Sequence, residues 1–164
     1  MDEDEIDFAI AAWQEEGRWS VASLPPRAAT NLGSFTAALR QLTAEGGAIG
    51  FLAVDEEFFI GARVTPDGTT RVVLSDLNAA YEWAVAEEAA LLLEIEVPED
   101  EEEIDEVEPV GDLTIFADLG VPLDEMELIL GDPELYPDEQ VSSIASRIGF
   151  AEQLAQALEA LQKD

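Results

Sequence analysis

The sequence contains no histidine and no cysteine, and its only lysine is Lys163. Those absences exclude Ser-His-Asp and Cys-His nucleophilic sites, Cys/His zinc sites, iron–sulfur clusters and any imidazole titrating near neutral pH. Carboxylates are then the main acid/base groups. Positive charge is equally scarce: seven Lys plus Arg face 38 Asp plus Glu, a formal net charge of −31 over 164 residues. The electrostatic term that dominates nucleic-acid affinity therefore has the wrong sign, and anionic membrane surfaces are repelled for the same reason. Neither direct nucleic-acid binding nor membrane binding is expected. No apolar run approaches the roughly 18 to 20 residues needed to cross a bilayer, and Met1-Asp2-Glu3-Asp4-Glu5 lacks the positive region of a signal peptide. A cytoplasmic location is expected, and the absence of disulfides agrees with it.

Hydrophobic residues make up 48% of the chain, well above what an acidic disordered segment carries, so the charge rides on a packed core. It is distributed unevenly: residues 1–98 carry a net −13, residues 99–108 a net −8, and residues 109–164 a net −10. The middle run, Glu99-Asp100-Glu101-Glu102-Glu103-Ile104-Asp105-Glu106-Val107-Glu108, lies between Pro98 and Pro109. Like charges at that density repel and extend a chain. An α+β domain over 1–98, an acidic linker over 99–110 and a helical unit over 111–164 are the expected divisions.

In the first unit, Ile6 to Trp13 and Arg18 to Leu24 read as strands joined by the turn Gln14-Glu15-Glu16-Gly17. After Pro25-Pro26, Asn31 can cap a helix whose Leu32, Phe35, Leu39 and Leu42 recur at helical spacing. Ala48 to Val54, Phe58 to Thr65 and Thr69 to Leu74 read as three more strands, and Asp76 to about Leu93 as a second helix. A mainly antiparallel, five-stranded sheet with covering helices results. This order is similar to that of roadblock-like and profilin-like small domains. The second unit reads helical throughout, as a small all-α unit: Leu123 and Leu128 flank Asp124 as a hydrophobic staple would, and Pro137 suits a first helical position. So few residues form a marginal core alone, and the unit should dock on the first unit or on a partner.

Each chemical constellation has a plainer reading beside it. The acidic run lacks the alternate ligands, sixth-position glycine and twelfth-position glutamate of an EF-hand, and its ordinary meaning is a solvated linker. Asp55-Glu56-Glu57-Phe58-Phe59 could suggest a carboxylate pair for hydrolysis, but a turn followed by a half-buried strand explains it. Gly46-Gly47-Ala48-Ile49-Gly50 lacks the Gly-Lys-Ser/Thr ending of a phosphate loop and precedes a strand. Leu24-Pro25-Pro26-Arg27 fixes the chain's exit from a strand more simply than it forms a polyproline ligand. Trp13, Trp19 and Trp83 are either interface anchors or core and sheet-edge residues. No cofactor is called for.

Several stretches together resemble the tRNA adenosine deaminase-associated protein family. They are Leu24-Pro25-Pro26-Arg27, Glu45 to Phe51 with Val54 to Phe59, Leu74-Ser75-Asp76, Gly111-Asp112-Leu113 with Ala117 to Gly120, and Leu135 to Glu139 with Ser142 to Ala145 and Gly149-Phe150. The resemblance implies a link to conversion of adenosine to inosine at the tRNA wobble position. Catalysts of that reaction need a zinc-bound water held by His and Cys ligands, which this chain lacks, so a companion rather than an enzyme is expected. The family has no functional residues to carry over. Among matching positions, Asp55, Glu56, Glu57, Asp112, Asp118, Tyr136, Asp138 and Glu139 are candidates for partner contact.

Two classes of function follow. One is a non-catalytic accessory protein whose acidic surface contacts a basic partner, a tRNA adenosine deaminase in particular. The other is a nucleic-acid mimic or acidic adaptor for some other basic protein, with a carboxylate-dependent hydrolase as a distant third. A homodimer through an exposed edge strand is left open.

Overall fold

Apolar residues alternate along the strands so that both faces of one sheet demand cover. In β1 (Ile6–Glu15), Ala9 and Ala11 face one way and Phe8, Ile10 and Ala12 the other, and both sets are buried. The computed structural model describes residues 5–42, 47–99 and 107–162. Most of the acidic run, residues 100–106, lies outside them. The other strands are β2 (Arg18–Ser23), β3 (Ala48–Val54), β4 (Phe58–Val64), β5 (Thr70–Leu74) and β6 (Val110–Gly111). All pair antiparallel in the order β2-β1-β3-β4-β5-β6.

Helices α1 (Leu32–Arg40) and α2 (Ala84–Leu92) cover the first face. Leu32, Phe35 and Leu39 of α1 and Val85, Ala86 and Ala89 of α2 join Leu52, Val54, Phe58 and Ile60 in one buried cluster. Asn31 caps α1 as its sequence predicts, its Oδ1 accepting from the Ser34 amide at 2.8 Å. Close seating of α1 needs Gly50: a Cβ there would stand 2.7 Å from the Leu39 methyls and 2.8 Å from the Phe35 ring. Gly50, inside β3, thus serves packing.

On the second face lie α3 (Leu123–Leu130), α4 (Pro137–Ile148) and α5 (Ala151–Gln162). Residues expected as a separate helical unit supply this second layer: Phe116, Met126, Leu130, Ile144 and Phe150 pack on Phe8, Ile10, Phe51 and Phe59. Phe51 is fully buried, with the rings of Phe116, Phe59 and Phe150 centred 5.6, 6.0 and 6.3 Å away. Burying one such side chain contributes about 1.5 to 3 kcal/mol. Both central strands, β3 and β4, are therefore sandwiched between helical layers.

Three expectations need correction. The sheet has six strands and not five, because Val110 and Gly111 pair with Leu74 and Val73. Two residues are too few to show alternation, and their placement depends on backbone pairing: Gly111 sits at φ +108°, where a Cβ would meet the Val72 carbonyl at 2.5 Å. The helix expected from Asp76 to Leu93 is broken at Trp83, with a 3-10 turn over Leu77–Tyr81 before α2. There is no staple at α3: Leu123 is its first helical residue after Pro122, and Leu123 and Leu128 are both exposed. Pro137 does occupy the first turn of α4.

Candidate functional site

One end of the sheet gathers acids from three segments. The β3–β4 hairpin turns tightly at Asp55 and Glu56, both left-handed at φ 47° and 53°, and the Glu57 amide closes it on the Val54 carbonyl at 2.9 Å. Positive φ at both central residues defines a type I′ turn, which matches strand twist but favours Asn-Gly over two acids. The turn is tied to β1, since the Glu56 amide donates to Asp7 Oδ2 at 2.6 Å and the Asp55 amide to the Glu5 carbonyl at 2.9 Å. Burial raises the Asp7 carboxyl above its ordinary pKa, and the charges of Glu56, Asp55 and Asp138 raise it further against that one amide hydrogen bond. Among the described residues, the charges that act on Asp7 are all negative.

The start of α4 stands beside the turn. Glu56, Glu57, Asp76, Asp132, Tyr136 and Gln140 line a shared cleft of about 210 Å³. Tyr136 is exposed, and its amide donates to Glu139 Oε1 at 3.1 Å, so Glu139 satisfies an open amide at the helix start. Glu57 accepts from Trp83 Nε1 at 2.7 Å. Asp76 is structural: its Oδ1 accepts from the Asn78 and Glu108 amides at 3.0 and 3.2 Å. Among the described residues, no three carboxylates are grouped so as to hold a metal ion.

Asp112 and Asp118 lie elsewhere. Arg63 on β4 and Arg71 on β5 are direct cross-strand partners, a like-charge pairing that destabilises a sheet unless neutralised. Asp118 forks onto Arg63 at 2.6 and 2.9 Å, and Asp112 binds Arg71 Nε at 2.6 Å. Arg63 and Arg71 also donate to the Ile115 and Thr114 carbonyls at 2.9 and 3.1 Å. The four ionic groups clip residues 111–119 to the sheet. The Arg63 hydrogen bond holds the Asp118 carboxyl below its ordinary pKa despite partial burial. For Asp112 burial is the largest single influence and acts upward, but the hydrogen bonds from Arg71 and Thr114 together carry it below the ordinary value.

The structure therefore brings Glu56 and Glu57 to one cleft with Tyr136, puts Asp55 and Asp138 within electrostatic reach of Asp7, engages Glu139 at the start of its own helix, and sets Asp112 and Asp118 apart in ion pairs. Sequence reasoning missed Asp7. Its signal was a lone carboxylate inside the apolar run Ile6 to Trp13. Each tryptophan packs at the margin of a core cluster: Trp13 and Trp83 on the first, Trp19 on the second, its ring 5.3 Å from that of Phe150.

A three-layer α+β protein with an acidic sheet end and neither histidine nor cysteine is the class these observations define. The chain belongs to the Rv3753c-like tRNA adenosine deaminase-associated protein family, which it matches over residues 7–151. It is similar to Protein Rv3753c of Mycobacterium tuberculosis (strain ATCC 25618 / H37Rv), with 41% identity over 155 residues covering 94% of this chain and 88% of that protein. No solved structure matches it. Among the described residues, no helix is long and apolar enough to cross a membrane.

Proposed function

We propose that the protein is a non-catalytic accessory protein that uses its acidic surface to dock on the basic, tRNA-facing surface of a tRNA adenosine deaminase in the cytoplasm. The convergence of Asp7, Asp55, Glu56 and Asp138, with no cation beside them among the described residues, carries this reading. Crowded carboxylates on a left-handed turn cost the free protein stability, and lysines or arginines of a partner would recover it on binding. Membership of a deaminase-associated family supports a tRNA adenosine deaminase as that partner. With no His or Cys the chain cannot assemble the deaminase zinc site itself, and its charge argues against direct tRNA binding.

Binding of the purified cognate deaminase, measured by calorimetry across a salt series, tests the proposal. Affinity should fall steeply with salt, because the Debye length shrinks from about 10 Å at 0.1 M to about 3 Å at 1 M. Asp55→Asn with Glu56→Gln should weaken the complex at low salt and flatten that dependence. Absence of binding at low salt, together with unchanged tRNA turnover by the deaminase, would remove the proposal.

A further inference from the structure

Away from the acidic end, α2 terminates in an unusual way. Glu94 adopts the left-handed conformation at φ 58°, a position that favours glycine, and the Ile95 amide turns back to the Ala90 carbonyl at 2.9 Å. Residues 95–99 consequently run back beside the helix. The Tyr81 hydroxyl holds them there, donating to the Pro98 carbonyl at 2.6 Å. Between helix and returning segment lies a groove of about 1060 Å³.

Its two kinds of lining residue point to one kind of occupant. Ala90, Leu91, Ile95, Val97 and Pro98 make the apolar part, and Leu91 is 70% exposed, with Leu92 next to it 54% exposed. Glu87, Glu94, Glu96 and Glu99 form the rim, and among the described residues no Arg or Lys lines the groove. None of the ion pairs among the described residues reaches these four carboxylates. An anionic ligand is repelled, a second copy of this chain would bring four more carboxylates against the first four, and a purely apolar ligand would leave the rim uncompensated.

We infer that the groove docks a basic amphipathic segment of a protein partner, its apolar side chains covering Leu91, Ile95 and Val97 and its lysines or arginines meeting the glutamate rim. This site deepens the accessory reading above, since it rests on the deaminase being the protein that supplies the segment. It also lies on the opposite face of the sheet from α3 to α5, so substitutions there can be separated from effects on that layer.

The full-length protein, isotopically labelled, is titrated at low salt with a synthetic Leu/Lys amphipathic peptide and with its Leu/Glu counterpart. The Leu/Lys peptide should bind with chemical-shift changes confined to α2 and residues 95–99. Leu91→Ser should weaken it about tenfold without moving the thermal midpoint, because Leu91 is exposed in the free protein. Glu94→Gln with Glu96→Gln should reduce the salt dependence, whereas Asp124→Asn with Glu127→Gln on α3 should leave affinity unchanged. Shifts spread over every acidic surface, or equal binding of the Leu/Glu peptide, would overturn the inference. Deaminase binding by Leu91→Ser separates the two readings. Binding as tight as wild type sinks the groove and leaves the accessory role standing, whereas peptide capture in the groove with no deaminase binding keeps the groove and removes that role.

Discussion

At one end of β4, Arg63 is only 12% exposed and holds Asp118 in a two-pronged ion pair; at the other, Asp55 and Glu56 crowd Asp7 with no arginine in the group. Asp112 and Asp118 have carboxyls below the ordinary pKa range, Asp7 above it. One residue type thus does opposite work within a single sheet. In the first place it neutralises a cross-strand arginine pair and fastens the second helical layer; in the second it stores repulsion in a strained turn. Acidity alone is therefore no guide to partner contact: the proposed docking surface is drawn from carboxylates that no ion pair among the described residues neutralises.

Breaking the paired end should have the larger effect. Asp112→Asn with Asp118→Asn leaves Arg63 and Arg71 facing each other and loosens residues 111–119, at an expected cost of about 2 to 4 kcal/mol in urea unfolding. A loss no larger than that of either single variant would show that the two pairs do not act together. At the other end the sign reverses. Replacing Asp55-Glu56 by Asn-Gly suits the type I′ turn and removes two charges, so the same assay should show a gain of about 1 to 2 kcal/mol, with weaker deaminase binding. If stability rose while binding were untouched, the acidic turn would lose its assigned role.

Asp7→Asn is expected to stabilise by less, about 0.5 kcal/mol at neutral pH, since the amide oxygen can still accept from Glu56. Here pH gives the sharpest contrast. Because the folded-state pKa of Asp7 is raised, its ionisation costs the native state stability; the advantage of Asp7→Asn should vanish as pH falls through that raised value to the ordinary range near about 4. The depressed carboxyls of Asp112 and Asp118 contribute stability above their ordinary range, and lose it only as pH falls through their lower folded values. Thermal midpoints measured between acid and neutral pH should show the Asp7→Asn advantage disappearing first.

Much of this molecule is legible in its residue order. The turns at Glu16-Gly17 and Asp67-Gly68, the Asn31 cap and the first-turn Pro137 are local signals, and each local element forms where its chemistry predicts. The completely apolar run Ala48 to Val54 carried a further message: a strand buried on every residue needs cover on both faces. Recognising that would have assigned the C-terminal helices to the second face. β6 left no such trace, being two residues whose pairing is made by backbone groups. Asp112 and Asp118 could not be told from Asp55 and Asp138, because their arginine partners are 41 and 55 residues away in the chain.

By itself the sequence determined the absence of deaminase ligands, the sign of the surface charge, the α+β element order and the family to which the chain belongs. Those properties depend on residue types and on contacts between near neighbours. Only the tertiary structure decided which acids are neutralised and which are left crowded, that helices cover both faces of the sheet, and that residues 95–99 return along α2 to form a groove. Charge compensation and burial are set by distances in space between residues remote in the chain, and composition carries no record of those distances.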